Sequence, residues 1–257
     1  MATDILTLED VVAGYGKMTI LHGTSFSVKR GSITTVIGPN GAGKSTVFKT
    51  VFGMLPARSG CVTFDGADIT NLIPRELLAR GISYVPQGRN IFPELSVRHN
   101  LELGAVMAPA GFDLSVRMDA AMDRFPVLRR KANAQASTLS GGEQKMLEIA
   151  RSLLLEPKLM LIDEPSIGLS PIMANELFAT LTEMRGRGIT VLLIEQNAKR
   201  ALESSDDGIV LELGRTRIAD SAKAILADPR IGQLFLGGGL VEKLSVIPAE
   251  RSEGRNP

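Results

Sequence analysis

Apolar residues along this chain follow two different periods, which alternate from one segment to the next. Strand-like runs are ILTLEDVVAGYG, ILHGTSFSVKRG, SITTVIG, CVTFDG, GISYVPQ, LMLID and ITVLLIE. Runs that predict helices are KSTVFKTVFGML (residues 44–55), RELLAR and residues 171–187. Strands that alternate with helices predict an α/β fold with a parallel sheet and crossover helices.

The middle and the end of the chain differ from this alternation. Residues 89–155 predict a mostly helical segment that is interrupted at MAPAGFD. The last residues, GGGLVEKLSVIPAERSEGRNP, predict a glycine hinge and a poorly ordered tail over residues 238–257.

Composition narrows the class of protein. The chain has 257 residues, with 29 Lys and Arg against 28 Asp and Glu, so its net charge gives no reason to expect nucleic-acid binding. No apolar stretch approaches the roughly 20 residues that cross a bilayer. The start, MATDILTLED, has acids where a signal peptide carries basic residues, and Cys61 is the only cysteine. We therefore expect a soluble intracellular protein with one large α/β domain or two small ones.

A glycine-rich loop lies between a strand-like run and a helix-like run. GPNGAGKST has the pattern G-x-x-x-x-G-K-[ST], in which glycines let several backbone N–H groups point at one anion. Lys44 can reach the β- and γ-phosphates of a nucleotide, and the Ser45 hydroxyl can bind Mg²⁺. The alternative is a glycine turn capped by serine or threonine. The predicted phosphate-binding residues are Gly38, Pro39, Asn40, Gly41, Ala42, Gly43, Lys44, Ser45 and Thr46.

Two acidic residues follow a buried-strand run. LMLIDE places Asp163 and Glu164 at the carboxyl end of a predicted parallel strand, which is the edge where such sheets bind ligands. Asp163 is the candidate for the Mg²⁺ shell, and Glu164 is the candidate for positioning the water that attacks a γ-phosphate. The alternative is an ordinary strand end with two solvated acids.

A second glycine motif, LSGGEQ, precedes an amphipathic helical run, KMLEIARSLLLE. Ser140 lies at the N-cap position and Glu143 follows three residues later, so a capping box explains part of the motif. Two adjacent glycines, Gly141 and Gly142, are costly to order and indicate a backbone that something approaches closely. Free N–H groups at a helix N-terminus predict a second phosphate-binding surface.

The motifs GPNGAGKST, LSGGEQ and LMLIDEP, in this order and spacing, resemble the ATP-binding subunits of ABC (ATP-binding cassette) transporters. The resemblance covers residues 5–237 and implies a P-loop NTPase fold. This fold has a RecA-like core, an N-terminal antiparallel β subdomain and a helical subdomain inserted over residues 89–155. It also implies a head-to-tail dimer with two sandwiched ATP molecules, in which Ser140, Gly141, Gly142 and Glu143 act on the ATP of the other subunit.

Two further binding positions follow from the resemblance. Tyr15, in GYGK, is similar to the aromatic residue that stacks on adenine, and the alternative is an aromatic residue packed in the core. Gln87, in YVPQGR, is similar to the glutamine that binds Mg²⁺ and senses the membrane partner, and the alternative is a surface turn. The implied cofactors are ATP and Mg²⁺.

Two positions depart from the family pattern. Gln196, in VLLIEQNA, stands where a histidine usually contacts the γ-phosphate, and Ser170 stands where an aspartate is usual. Glutamine can hydrogen-bond a phosphate but does not titrate near neutral pH. Glu164 therefore becomes the stronger base candidate, with Gln196 as the second catalytic candidate. His22 and His99 fit ordinary surface or strand-edge positions.

Longer segments narrow the resemblance. PQGRNIFPELSVRHNL, DEPSIGLSP and IEQNAKRALE resemble the LivF type, one of two ATP-binding subunits of branched-chain amino acid importers. This type implies uptake of leucine, isoleucine and valine, or of a related hydrophobic amino acid, amide or urea.

The same resemblance implies partners and a location. The partners are a second copy or a second ABC ATPase subunit, membrane permeases and, indirectly, a periplasmic substrate-binding protein, with no nucleic acid. The chain would lie in the cytoplasm, on the inner face of the cell membrane, held there by the permeases. A groove for a permease helix is expected near Arg89, Asn90, Phe92 and Leu95.

Two other classes of protein match the sequence less well. Soluble ABC ATPases of DNA repair insert long coiled coils and those of translation carry two cassettes, which 257 residues at a net charge of +1 do not match. A GTPase or small-molecule kinase would share the phosphate loop. The chain lacks the N/T-K-x-D guanine signature, however, and LSGGEQ has no role in such enzymes.

Overall fold

The computed structural model describes residues 3–109, 111–229 and 231, and its strands form two sheets. The strands are β1 (Asp4–Tyr15), β2 (Met18–Lys29), β3 (Ile33–Ile37), β4 (Ala57–Phe64), β5 (Ala67–Asp68), β6 (Ile82–Val85), β7 (Leu159–Asp163), β8 (Thr190–Ile194), β9 (Asp207–Glu212) and β10 (Arg215–Ser221). The helices are α1 (Lys44–Val51), α2 (Pro74–Arg80), α3 (Val97–Glu102), α4 (Leu114–Arg124), α5 (Pro126–Arg130), α6 (Gly141–Leu153), α7 (Pro171–Gly186), α8 (Ala198–Glu203) and α9 (Ala222–Ala227). Short 3-10 turns cover Leu103–Ala105 and Ala136–Thr138.

The larger sheet has six strands in the order β10-β9-β3-β8-β7-β6. The strands from β9 to β6 run parallel, and β10 pairs antiparallel with β9. Every residue of β3, β7 and β8 is buried. Their apolar runs are unbroken because both faces of a parallel sheet are covered. The α/β fold with a parallel sheet is confirmed.

The smaller sheet is antiparallel, with the order β2-β1-β4-β5. Helix α1 contacts this sheet and also contacts β7 of the larger sheet. Phe48 of α1 is fully buried in a core cluster that includes Leu8 of β1 and Leu161 of β7. The N-terminal antiparallel sheet therefore shares one core with the strands that follow it.

A second core cluster covers the opposite face of the larger sheet. Met160 of β7 alternates with Leu161 and faces this cluster, together with Leu147 of α6 and Leu177 of α7. Helices α3, α4 and α5 pack on α6. Residues 89–155 are thus mostly helical, as the sequence predicts, with the break at MAPAGFD directly before α4; residue 110 of that break lies outside the described residues.

Two segments differ from the sequence prediction. The helix predicted over residues 44–55 ends at Val51. Gly53 adopts a left-handed φ of 67°, and the amides of Met54 and Leu55 both donate to the Lys49 carbonyl, which closes the helix. Further along, α8, the β9–β10 hairpin and α9 are elements that the sequence pattern does not predict.

The sequence predicts a cassette that extends from residue 5 to residue 237. Residues 232–237, and the tail predicted over 238–257, lie outside the described residues. In the ranges that the structure describes, no helix is long and apolar enough to cross a membrane.

Candidate functional site

The phosphate loop, residues 38–46, connects β3 to α1 at the carboxyl edge of the larger sheet. Gly41 and Gly43 have φ values of 81° and 101°, which side chains disfavour. A Cβ atom on Gly43 would also approach the Leu21 side chain to 3.0 Å. The glycines therefore allow both the curve of the loop and its close contact with β2.

Lys44 places its positive charge inside this curve. Its ammonium donates to the carbonyl oxygens of Gly38 and Pro39 at 2.9 and 3.1 Å. Burial lowers the pKa of Lys44, while the negative charges of Glu164 and Asp163 raise it. The loop thus holds a cation that an anionic phosphate can take over.

Asp163 ends β7 with a side chain that is almost fully buried. Its Oδ2 accepts a hydrogen bond from the Tyr84 hydroxyl at 3.4 Å, and its Oδ1 is buried without a hydrogen-bond partner among the described residues. Burial raises the pKa of this carboxyl, and the nearby hydroxyls of Ser45 and Tyr84 and the charge of Lys44 lower it. A buried acceptor without a partner beside a serine hydroxyl is suited to a cation.

Glu164 follows Asp163 but points in another direction. Its φ is 48°, an uncommon left-handed value for a side chain, and its amide donates to the Ile194 carbonyl at 2.9 Å. The Gln87 side-chain amide donates to Glu164 Oε2 at 2.7 Å. Burial raises the pKa of Glu164, the negative charge of Asp163 raises it further, and Lys44 lowers it. The two neighbouring carboxylates therefore have different partners, Gln87 for Glu164 and Tyr84 for Asp163.

One cavity of about 480 Å³ brings most of the predicted site together, and we call it the phosphate-loop cavity. Its lining includes Tyr15, Gln87, Glu164, Gln196 and six residues of the phosphate loop, namely Asn40, Gly41, Gly43, Lys44, Ser45 and Thr46. Gly38, Pro39, Ala42 and Asp163 do not line it. Tyr15 is 46% exposed, which excludes the core-packed alternative. The Lys49 ammonium lies 5.8 Å from the centre of the Tyr15 ring.

Sequence reasoning missed a buried carboxylate at the same sheet edge. Glu195, directly after β8, is 2% exposed and accepts hydrogen bonds from the Ser166 amide at 2.9 Å and the Ser166 hydroxyl at 2.7 Å. Burial raises its pKa, and the hydrogen bonds from Ser166 lower it. An acid directly after the apolar run TVLLI is the same signal that identified Asp163. Glu195 holds the segment after Glu164 against the segment that carries Gln196.

The signature segment, residues 140–143, forms the start of α6 as a capping box. The Ser140 hydroxyl accepts from the Glu143 amide at 3.3 Å, and Glu143 Oε2 accepts from the Ser140 amide at 2.8 Å. The Lys131 ammonium donates to both oxygens of Glu143 at 2.7 and 2.9 Å. None of the signature residues lines the phosphate-loop cavity of the described chain.

The surroundings of the two signature glycines, Gly141 and Gly142, differ. A Cβ atom on Gly142 would approach Met173 Cγ to 2.7 Å, so the packing of α6 on α7 explains this glycine. A Cβ atom on Gly141 would meet no atom within 4 Å. Of these two glycines, Gly142 is required by packing within the described chain, whereas no such contact requires Gly141. Gly141 is also exposed.

An apolar groove of about 660 Å³ lies between the larger sheet and the helical segment. Asn90 and Phe92 line it, as the sequence analysis expects, but Arg89 and Leu95 do not. The Leu95 carbonyl accepts a hydrogen bond from the Ala136 amide, which directs this residue toward the helical segment. Further lining residues are Leu103, Val106, Met107, Arg151 and Leu155.

Ser170 and the two histidines lie at ordinary structural positions outside the phosphate-loop cavity. Ser170 caps α7, since its hydroxyl accepts a hydrogen bond from the Met173 amide at 3.4 Å. His22 on β2 and His99 on α3 are exposed, as expected for ordinary surface residues.

Comparison with known proteins agrees with this geometry. Residues 21–167 match the ABC transporter family. BraG of Pseudomonas aeruginosa, a high-affinity branched-chain amino acid transport ATP-binding protein, is 41% identical over 91% of this chain and 100% of its own length. LivF of Archaeoglobus fulgidus, a probable branched-chain amino acid transport ATP-binding protein, is 39% identical over 88% of this chain and 95% of its own length.

A solved structure supports the same conclusion. The ADP conformation of MJ1267, an ATP-binding cassette of an ABC transporter, has a TM-score of 0.83 and 31% identity, covering 91% of this chain and 99% of that one. Fold and site together define an ATP-binding, ATP-hydrolysing cassette. The chain belongs to the ABC transporter family, which confirms the predicted family and fold.

Proposed function

We propose that this chain is the ATP-hydrolysing subunit of an ABC importer for branched-chain amino acids or a related hydrophobic amino acid, amide or urea. One observation carries the proposal. The phosphate-loop cavity collects an exposed aromatic ring, an anion-binding loop, an amide and a strained carboxylate, in Tyr15, residues 38–46, Gln87 and Glu164. Each of these groups matches one part of an ATP molecule or of its attacking water.

The nucleotide would lie along the length of this cavity. Tyr15 is exposed and can stack on adenine, and the backbone N–H groups of the loop can surround the phosphates. Lys44 would exchange the carbonyl oxygens of Gly38 and Pro39 for β- and γ-phosphate oxygens. This exchange replaces two neutral acceptors with charged ones, which strengthens the hydrogen bonds.

A Mg²⁺ ion would fit beside Asp163. The described residues contain no cluster of three or more His, Cys, Asp or Glu that could hold a metal by themselves. Magnesium in nucleotide sites instead uses only one or two carboxylates and completes its shell with water and phosphate oxygens. The Ser45 hydroxyl, Asp163 and Gln87 would supply the protein ligands. When bound, the ion neutralises charge on the phosphates.

Hydrolysis would use Glu164 as the base. Its carboxylate lines the cavity, whereas Asp163 does not, so it can accept a hydrogen bond from a water aligned with the γ-phosphate. The water oxygen forms a bond to the γ-phosphorus, the bond to the β-γ bridging oxygen breaks, and a water proton passes to Glu164. The products are ADP and phosphate. Gln196 can donate a hydrogen bond to the γ-phosphate from the other side of the cavity.

A second subunit would complete the site. The signature segment has an exposed Ser140, open space around Gly141 and the N-terminus of a 13-residue helix, but it lies away from the cavity of its own chain. These groups suit the phosphates of a second cassette that faces it. The partner would be a second copy of this chain or a second ABC ATPase subunit.

The apolar groove is suited to a short permease helix. It exposes large apolar side chains, with Phe92 52% and Val106 70% exposed. Binding there would hold the cassette at the cytoplasmic face of the membrane. A periplasmic binding protein would deliver the cargo, whose identity is proposed from the names of BraG and LivF.

Reconstitution tests the cargo. Proteoliposomes would contain this chain, the permeases encoded beside it and their binding protein. We expect ATP-dependent uptake of labelled leucine in the wild type and background uptake in Lys44→Ala, with labelled arginine as the cargo control. Intact ATP hydrolysis without uptake of leucine, or of labelled isoleucine, valine, amide or urea in the same assay, would show that the proposed cargo is wrong.

The pH dependence of hydrolysis tests the base. Glu164 must be ionised to accept a proton, and burial and Asp163 raise its pKa. Turnover should therefore be lost as the pH falls through a value above the ordinary glutamate range. Turnover is measured at saturating ATP and Mg²⁺ at every pH, because burial also raises the pKa of Asp163 and its protonation would lower ATP affinity. An acid limb within the ordinary glutamate range would contradict this role.

A further inference from the structure

A buried pair of opposite charges lies on α6, outside the phosphate-loop cavity. The Lys145 ammonium is 2.5 Å from Glu148 Oε2, and the two side chains are 8% and 2% exposed. Burying charges is costly unless each charged group is also hydrogen-bonded. An apolar pair of similar size would often fold as well, so this pair needs a reason beyond packing.

The remaining hydrogen bonds of this pair go to the loop that follows Gln87. The Lys145 ammonium donates to the Gly88 carbonyl at 2.9 Å, and Glu148 Oε1 accepts from the Asn90 amide at 2.5 Å. One helical turn further, the Arg151 guanidinium donates to the Asn90 carbonyl at 2.5 Å. Three side chains spaced along one face of α6 thus hold three backbone groups of one loop.

Hydrogen bonds within the same loop connect Asn90 to Pro86 and Gln87. The Asn90 side-chain amide donates to the carbonyl oxygens of Pro86 at 3.2 Å and Gln87 at 3.4 Å. The Gln87 side chain in turn donates to Glu164 at 2.7 Å. Hydrogen bonds therefore lead without interruption from α6 through the loop to the proposed base.

This loop also borders the apolar groove. Asn90 and Arg151 line the groove and take part in the contacts with α6. A helix bound in the groove would touch the residues that hold the loop in place.

We propose that Lys145, Glu148 and Arg151 are positioning residues that clamp residues 88–90 to α6 and thereby hold Gln87 within reach of Glu164. This inference rests on the proposed ATPase function of the cavity. We call the three side chains the loop clamp. None of the three side chains lines the phosphate-loop cavity. Loss of the clamp therefore reduces turnover, while the affinity for ATP without Mg²⁺ stays the same.

The test uses paired substitutions on α6. Lys145→Met/Glu148→Met removes two of the three tethers, leaves neither member of the buried pair as an unpaired charge and keeps the Arg151 tether, and methionine suits a helix interior. Lys145→Met/Glu148→Gln is the rescue variant, because the glutamine oxygen can still accept from the Asn90 amide. Lys199→Met/Glu203→Met is the matched control, since this pair is exposed on α8 with its charges 4.0 Å apart.

Three measurements are made on each variant. Hydrogen exchange of a peptide that covers residues 86–92 reports on the clamp without any nucleotide. In the double-methionine variant we expect faster exchange in this peptide, a turnover number reduced about tenfold and a dissociation constant for ATP without Mg²⁺ within about twofold of the wild type. The rescue variant should recover part of both losses, and the control should match the wild type.

Three results would overturn the inference. They are unchanged exchange over residues 86–92, faster exchange with wild-type turnover, and a loss of ATP affinity equal to the loss of turnover. The last result would indicate general damage to the fold. Wild-type protein without ATPase activity would instead overturn the proposed function, while the exchange experiment would still show whether the clamp exists.

Discussion

Replacing Glu164 with glutamine should stop ATP hydrolysis and leave ATP binding intact. The substitution keeps the shape of the side chain and its contact with Gln87 but removes the proton acceptor. Loss of a general base lowers turnover roughly 10²- to 10⁴-fold. Steady-state phosphate release measures this loss, and equilibrium binding of labelled ATP measures the retained affinity.

Glu176→Gln provides the control for this variant. It makes the same chemical change on α7, where Glu176 is exposed. Full ATPase activity in Glu164→Gln would remove Glu164 from the role of base. Asp163 could not act as the base in its place, because the buried Asp163 carboxylate is proposed to bind the cation.

Replacing Lys44 with alanine should weaken ATP binding itself. The ammonium is the positive charge that the loop curves around, and a hydrogen bond to a charged group contributes about 1.5–3 kcal/mol. The expected loss of affinity is therefore about 10- to 150-fold. Titration calorimetry with ATP and Mg²⁺ measures it directly.

Lys223→Ala, an exposed lysine on α9, is the matched control. It should bind ATP like the wild type, because it lies outside the cavity lining. Unchanged affinity in Lys44→Ala would show that the phosphate-loop assignment is wrong. A parallel fall in both lysine variants would point to a general effect of charge.

The sequence predicts the central strands well because strands that are buried on both faces consist mainly of apolar residues. LMLID and ITVLLIE are continuously apolar since helices cover both faces of β7 and β8. Chemistry that lies within one short segment is equally visible. The phosphate loop and the capping box of Ser140 and Glu143 each depend on residues that are close together in the sequence.

The sequence does not predict contacts between distant segments. Gln87 and Glu164 are 77 residues apart, and Ser166 and Glu195 are 29 residues apart. The local pattern of apolar and polar residues does not indicate such pairs, because it is the sheet topology that brings their members together. The β9–β10 hairpin is missed for a related reason. Only the burial of β9 beside β3 determines its position.

The structure also separates two glycines that look equivalent in the sequence. Gly142 leaves room for Met173, so packing explains it, whereas only Gly141 leaves its backbone open to a ligand. Likewise, the expected groove residues divide into Asn90 and Phe92, which line it, and Arg89 and Leu95, which do not. Tertiary packing decides between functional and structural uses of the same residue type.

The central claim is that one ATP is bound between the phosphate loop of one cassette and the signature segment of another. An experimental structure of Glu164→Gln with ATP and Mg²⁺, together with its partner ATPase subunit, tests it most directly. We expect the triphosphate in the loop, Lys44 moved from Gly38 and Pro39 onto phosphate oxygens, and the partner's signature segment at the γ-phosphate. Bound ATP with Lys44 still on the two carbonyl oxygens, or with no second subunit at the γ-phosphate, would contradict the claim.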